Sequence, residues 1–350
     1  MSDTSLNLAV IIVSWNVRDL LAACLRSLFA DLNRSGLKAE VWVVDNASTD
    51  GTPEMVTDAF PAVHLIASRE NLGFAGGNNL ALREIGESAN RRIGKSANQR
   101  IGKSANQRIS ESANQRISES ANGRIPKYVW LLNPDTEVQP GATAALLDFM
   151  ERTPQAAVAG AKLLYADGSL QQSAFRFPGL VQLLFEFLPL PPRLYDTPLN
   201  GRYPRRLYAG EAPFPIDHPL GAAMMVRTEA IVDVGLLDEG FWMYCEEIDW
   251  CWRMRKAGWR AYCVPTAQVV HHAGRSSGQV RVASFVALWR SRLRLYDKHY
   301  PPWKRRLAHA LVRMGMRWQM RQAHAAYRRG RINADELAAR LEACQTVLTL

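Results

Sequence analysis

Leu8-Ala-Val-Ile-Ile-Val-Ser14 is an unbroken apolar, largely β-branched run, too short for a helix and patterned like a strand buried on both faces of a parallel sheet. Ser14-Trp15-Asn16 ends it. Val17 to Ala30 then carries Leu20, Leu21, Cys24, Leu25 and Leu28 at the spacing of an amphipathic helix. A second strand is predicted over Glu40–Val44, stopping at Asp45-Asn46-Ala47-Ser48-Thr49-Asp50-Gly51. Thr52-Pro53-Glu54 opens another helix with a cap, a proline at the first helical position and an acid in the first turn. Val63–Ala67 supplies a third strand. This alternation predicts an α/β domain with a mostly parallel central sheet flanked by helices, binding its ligand outside the carboxyl ends of the strands.

Tyr128-Val-Trp-Leu-Leu-Asn-Pro-Asp-Thr-Glu-Val138 repeats the motif of a buried strand that breaks into polar residues. Pro134 cannot donate to a continuing ladder, so the chain turns there, with Asn133, Asp135 and Glu137 beyond the strand end. An Asn-x-Asp pair in that place offers oxygen ligands to a hard cation carrying a diphosphate. Asn71-Leu-Gly-Phe-Ala-Gly-Gly-Asn-Asn79 follows the third strand, and its glycines let backbone approach a ligand closely. It lacks the Lys-Ser/Thr of a P-loop and the GxGxxG spacing, which excludes ATPase and dinucleotide-binding readings. Further on, helix is predicted over Pro140–Met150 and Thr228–Val234, strand over Ala157–Tyr165 and His218–Val226, and an irregular lid or binding region over 175–215.

Phe241-Trp-Met-Tyr-Cys-Glu-Glu-Ile-Asp-Trp-Cys-Trp-Arg253 is the most specific stretch of the chain. Glu246, Glu247 and Asp249 crowd three carboxylates among aromatic rings, where they repel one another unless a cation or a proton uses them. Val269-Val-His-His-Ala-Gly-Arg-Ser276 ends a short strand with two imidazoles, able to complete a metal site with a distant carboxylate.

At 350 residues and 47% hydrophobic the chain holds one large domain and an appendage. Cys24, Cys245, Cys251, Cys263 and Cys344 form no CxxC pair and read as buried or free thiols, which favours a reducing cytosol. Neither a signal peptide nor a spanning segment is predicted, giving a cytoplasmic protein. The net charge of +10 is concentrated: residues 281–350 carry fifteen Lys and Arg against four Asp and Glu. An anionic partner is therefore expected to meet this basic helical tail rather than the body.

An octapeptide of the form Ile-Gly-Lys-Ser-Ala-Asn-Gln-Arg recurs with copies beginning at Ile85, Ile93, Ile101, Ile109 and Ile117. Eight residues advance a helix by about 800°, about 80° past two full turns, so the isoleucines wind around it without forming a stripe. Residues 85–124 are thus expected to be an insertion, disordered or marginally helical.

Taken in order, Ser14-Trp15-Asn16, Val44 to Gly51, Asn71 to Asn78, Leu132-Asn133-Pro134-Asp135, Glu246-Glu247-Ile248-Asp249-Trp250 and His271-x-x-Gly274-x-Ser276 resemble the family 2 nucleotide-sugar glycosyltransferases, in particular the rhamnosyltransferase-like group. The resemblance covers roughly Leu8 to Ser277. It implies a GT-A type domain over 1–280, inverting transfer of a sugar, rhamnose in the first place, from a nucleotide-diphosphate donor, and a lipid-linked or glycan acceptor in surface polysaccharide assembly. Galactofuranose, glucose and mannose are the alternative sugars. The family implies a donor site that includes Ser14, Asn16, Asp45, Asn71, Gly73, Asn78 and Asn133, with Asp45 on the nucleoside. It implies a divalent cation, Mn²⁺ or Mg²⁺, at Asp135 and His271, the latter preferred to His272 because Gly274 and Ser276 fall at the expected offsets. Glu247 matches the position of the catalytic base, where the family usually has Asp; Asp249 is the second choice.

From Ser284 to Arg329 apolar residues alternate with arginines in a basic amphipathic pattern, which predicts either a helical appendage packed on the domain or peripheral contact with an anionic membrane through 281–330. No nucleic-acid motif accompanies the charge, and no nucleic-acid partner is expected.

Overall fold

The structure, a computed structural model, describes residues 8–97, 125–188, 191–272 and 281–350. The chain runs β1 (Leu8–Ser14), α1 (Arg18–Arg34), β2 (Glu40–Asp45), α2 (Thr52–Ala59), β3 (His64–Ala67) and α3 (Gly73–Ala97). After the insertion come β4 (Tyr128–Leu132), β5 (Thr136–Val138), α4 (Ala142–Arg152), β6 (Ala156–Leu164), β7 (Leu170–Gln171) and β8 (Ala174–Phe175). Three short helices, α5 (Leu180–Phe185), α6 (Pro192–Tyr195) and α7 (Arg205–Ala209), punctuate the region expected to be irregular. Then follow β9 (Phe214–Ile216), β10 (His218–Pro219), β11 (Ala223–Arg227), α8 (Thr228–Val234), α9 (Glu246–Lys256) and β12 (Arg260–His271). The tail is helical: α10 (Arg281–His299), α11 (Pro302–Arg328) and α12 (Ala334–Leu348).

The main sheet has the order β3-β2-β1-β4-β11-β6-β12-β5. β1 pairs in parallel with both β2 and β4, and β6 with β12; β11 runs antiparallel to β4 and β6 between them. The long strands therefore share one direction except β11, as the alternating pattern predicts. Every side chain of β1 from Leu8 to Ile12 is buried, and alternate residues serve two cores. Val10 and Ile12 join Tyr128, Trp130 and the α1 leucines, whereas Ala9 and Ile11 join Val44, Val129, Leu131 and Trp250 of α9.

Two sequence expectations are corrected. The predicted strand over 218–226 divides at Leu220-Gly221-Ala222, because β10 pairs with β8 and β11 with β4. The short strand before His271 is the end of a twelve-residue strand, whose start was masked by Pro265; the ladder shifts register between Val264 and Gln268 to pass it. α3 runs on through the first octapeptide copy to Ala97. The remaining copies, residues 98–124, lie outside the described residues, as do Gly274 and Ser276.

The tail helices share a core with the body. Trp289, Leu293, Tyr296 and Tyr300 of α10 and its exit pack with Val312 and Met316 of α11, Val347 of α12, and Leu183 and Phe187 from α5 and its end, with Trp252 of α9 at the edge. All five cysteines are free and buried. Burial pushes the Cys24 and Cys263 thiols up to about 12, so neither is a nucleophile at neutral pH.

Candidate active site

At the carboxyl ends of β1 and β2, Ser14 pairs with Asp45 across the ladder. Asn16 and Ala47 beyond them adopt positive φ, +52° and +60°. This bend is held by Asn16: its side-chain oxygen accepts from Thr49 N at 2.8 Å, and its own N–H donates to Ser48 Oγ at 2.9 Å. Ser48 N donates in turn to Asp45 Oδ2. The other atoms here have no such use. Ser14 Oγ, Asp45 Oδ1 and Asn46 Oδ1 are buried without a hydrogen-bond partner among the described residues. A buried polar atom left unpaired is costly, and three together at strand ends mark a place for a polar ligand.

The start of α3 forms the adjoining wall. Asn71 Oδ1 accepts from Gly73 N, Asn46 Nδ2 donates to Gly73 O, and Asn78 Nδ2 donates to Phe74 O. Asn71 and Asn78 thus shape the glycine turn through its backbone. Gly73 has φ +71°, and a methyl there would lie 2.1 Å from Trp242 O. That approach lets Phe74 N donate to Trp242 O and Trp242 Nε1 to Asn71 O. Asn79 ties the same helix to the loop before α9, donating to Leu237 O and Glu239 Oε1 and accepting from Leu237 N.

At the end of β4, Asn133 N donates to Ala222 O, and Thr136 Oγ1 to Asn133 O. The resulting turn rests on Cys24 of α1, whose Sγ is 3.5 Å from both Asn133 O and Thr136 Oγ1. It carries Asp135 into a buried position where Oδ1 lies 3.4 Å from His271 Nε2. His271 is brought there by the antiparallel pairing of β12 with β5, which sets it opposite Thr136. Gln171 Oε1 is 3.0 Å from His271 Nδ1; as an acceptor it keeps the proton on Nδ1 and leaves the Nε2 lone pair facing Asp135. His272 is engaged elsewhere, with Nε2 2.7 Å from Glu137 Oε1. The Asp135–His271 separation is close to the about 3.0 Å between neighbouring ligands of an octahedral ion with bonds of about 2.1 Å. The donor set therefore fits one divalent cation, with a carboxylate oxygen and an oriented imidazole. Among the described residues no third His, Cys, Asp or Glu joins them, so the rest of the coordination sphere falls to ligand and water oxygens.

Glu247 stands on the other side of the β4 end. A methyl on Gly221, next to Ala222, would sit 3.6 Å from Glu247 Cγ. The loop before α9 is strained, with Tyr244 at φ +69° and Cys245 at +67°, each costing about 1–3 kcal/mol. It is held by α10: Ser291 Oγ donates to Met243 O at 2.7 Å, and Leu295 packs on Phe241 and Cys245. Desolvation, then the charge of Glu247, pushes Glu246 well above the usual carboxylate range, and its Oε2 is buried without a partner. Desolvation raises Glu247 to about 7. Both carboxyls are thus shifted toward the protonated form, and Glu247 is poised to exchange a proton near neutral pH.

Asp249, the second candidate base, is fully buried and committed to two cations and an imidazole. It lies 2.8 Å from Arg253 Nε, 2.8 Å from Lys298 Nζ and 2.7 Å from His299 Nε2. Hydrogen bonds from His299 and Lys298 outweigh its desolvation and hold its pKa far below the ordinary carboxylate value. Asp249 joins α9 to α10. Asp249→Ala strands these cations, and about 3 kcal/mol of stability should be lost. Thermal denaturation is expected to show a Tm lowered by several degrees with nucleotide affinity retained at low temperature. An unchanged Tm with abolished turnover would return Asp249 to the chemistry.

A family model, Glycosyl transferase family 2, matches residues 9–86, the stretch from β1 through the glycine turn. The match supports a family 2 glycosyltransferase. Over 287 residues the chain is 29% identical to the N-acetylglucosaminyl-diphospho-decaprenol L-rhamnosyltransferase of Mycobacterium tuberculosis, covering 80% of this chain and 79% of that one. Rhamnosyltransferase WbbL of Escherichia coli K12 is 41% identical over 58 residues, 17% of this chain and 22% of that protein. Among solved structures, the mannosyltransferase PcManGT from Pyrobaculum calidifontis, in complex with GDP-Man and Mn²⁺, aligns with 98% of this chain and 87% of its own at 17% identity and a TM-score of 0.48.

Of the positions singled out in the sequence, Ser14, Asp45, Asp135, His271 and Glu247 stand at neighbouring strand ends. Asn16, Asn71, Gly73 and Asn78 shape the walls, and Asn133 begins the turn that carries Asp135. Asn46, Gln171, Gly221, Trp242 and Glu246 enter the site without having been marked for it. Only Glu246, as part of the acidic cluster, left a local signal.

Proposed function

We propose that this glycosyltransferase moves rhamnose, with inversion, from a nucleotide-diphosphate donor to a hydroxyl of a lipid-linked acceptor. The observation that carries the chemistry is the placement of the Asp135–His271 pair and of Glu247 around one strand end, joined through the Asn133–Ala222 hydrogen bond. The choice of sugar and acceptor rests on the similarity to the mycobacterial rhamnosyltransferase.

The nucleoside is placed against Ser14, Asp45 and Asn46, whose unpaired buried oxygens accept from its hydroxyl and N–H groups. Its diphosphate then extends past the glycine turn toward Asp135. A divalent cation held by Asp135 and His271 would neutralise charge on the departing diphosphate. Glu247 takes the proton from the acceptor hydroxyl as its oxygen attacks the anomeric carbon. The bond from that carbon to the diphosphate oxygen breaks, and its electron pair leaves with the nucleotide. Burial disfavours a second negative charge on Glu246 beside Glu247.

The decisive experiment measures nucleotide-diphosphate release from a panel of nucleotide sugars, with a polyprenyl-diphosphate-linked GlcNAc as acceptor. Release from dTDP-rhamnose alone, dependent on acceptor, is the expected result. Preference for a galactofuranose, glucose or mannose donor would overturn the sugar assignment, and acceptor-independent release the acceptor assignment.

A further inference from the structure

Helix α11 buries one face and leaves another without cover. Ala308, Val312, Gly315, Met316 and Ala323 point into the tail core, where a methyl on Gly315 would strike the Phe187 ring at 2.3 Å. On the opposite side Trp303 is 65% exposed, Leu307 45%, Met314 59% and Trp318 39%. At 100° per residue these four side chains fall within an arc of about 60°. Arg306, Arg313 and Arg317 line one shoulder of the arc, and Arg321 falls within it; none of them makes an ion pair with a described residue. The helix contains no Asp or Glu. α5, packed on α11 through Phe187, adds exposed Val181 and Leu188.

We propose that this face of α11 docks flat on an anionic lipid bilayer. From Trp303 to Trp318 the stripe runs about 22 Å along the axis, with an indole at each end, where amphipathic rings settle at the headgroup level. The arginines beside it reach lipid phosphates while the apolar side chains enter the acyl boundary. A second copy of the chain is disfavoured as occupant, because a helix with no acid repels its own image. Nucleic acid would satisfy the arginines but not a continuous aliphatic and indole stripe. The helix is far too polar to cross the membrane; among the described residues no helix is long and apolar enough to do so. The proposal does not depend on the sugar or acceptor assigned above, since its test reads lipid binding alone.

The full chain is floated with vesicles of phosphatidylcholine mixed with phosphatidylglycerol, and with vesicles of phosphatidylcholine alone, at low and high salt. Recovery with the anionic vesicles at low salt, reduced by salt and weak on neutral ones, is expected. Each arginine near an anionic surface strengthens partitioning about fivefold. Arg313→Glu with Arg317→Glu should therefore cut partitioning at least twenty-fivefold, and Trp303→Ser with Trp318→Ser at least tenfold, with nucleotide affinity unchanged in both since every altered residue is exposed. Failure to float at low salt overturns the proposal, as does flotation that survives both pairs of substitutions. A concentration-dependent dimer dissociated by Trp318→Ser would assign the face to a second copy instead.

Discussion

Glu247→Gln should lower kcat for acceptor glycosylation by about 10³ while nucleotide-sugar affinity stays within twofold. General-base assistance contributes about 10²–10⁴ in rate, and each tenfold is about 1.4 kcal/mol of barrier, so the loss amounts to about 4 kcal/mol. Glutamine keeps the shape and the contact with Gly221 but cannot accept the proton. The same substitution removes the mutual repulsion that helps raise Glu246, so stability should hold or improve slightly. Isothermal titration with the donor and an initial-rate assay read the two effects separately. A variant that turns over normally removes Glu247 from the mechanism; one that loses donor affinity in proportion makes it a binding residue.

The pH profile follows from the same carboxyl group. Its pKa is raised by burial to about 7, so below that value Glu247 is protonated and unable to accept. The rate should therefore rise tenfold per pH unit through the acid range and level off above about 7. In Glu247→Gln that acid limb should disappear from the residual rate. A wild-type limb centred near the ordinary carboxylate value, about 4.3, would show that the base sits in a wetter place than the structure gives it.

How far the sequence discloses this site depends on which forces act locally. β1, β2 and β4 are legible because strands covered on both faces must be apolar throughout, and Asp45 and Asp135 stand out because charge follows such a run abruptly. Glu247 is conspicuous because three acids among aromatic rings defy ordinary solvation. Gln171 is illegible: it meets His271 only because β7 folds back on β6, which pairs with β12, a hundred residues later in the chain. Asp249 misleads for a related reason. It has the same local setting as Glu247, and two of its partners, Lys298 and His299, arrive from a helix that no spacing rule brings to it. Asn16 and Asn71 sit in the site's walls, yet their side-chain oxygens accept from the backbone of Thr49 and Gly73. Resemblance can mark such positions without telling ligand contact from loop geometry.

Asp135→Ala supplies the complementary test, because it touches the cation and leaves Glu247 alone. Mn²⁺ titration in the presence of the nucleoside diphosphate, followed by the loss of free-ion electron paramagnetic resonance signal, reads the ion directly, independent of turnover. Removing the carboxylate that faces His271 should weaken Mn²⁺ more than about a hundredfold, beyond the about 10–100-fold that follows loss of a residue merely orienting a ligand. Gln171→Leu belongs to that milder class, since His271 would keep its place while its ring and tautomer lost their guide. His272→Ala should leave Mn²⁺ affinity unchanged, because its imidazole is spent on Glu137. The ranking of the three carries more than any single value: an ion bound through Asp135 and His271 requires Asp135→Ala to be worst, Gln171→Leu intermediate and His272→Ala silent. If His272→Ala weakens the ion as much as Asp135→Ala, the cation lies one residue further along β12, toward Glu137. Equal affinities throughout would mean that the diphosphate alone carries the metal, and that Asp135 serves the donor as a hydrogen-bond acceptor.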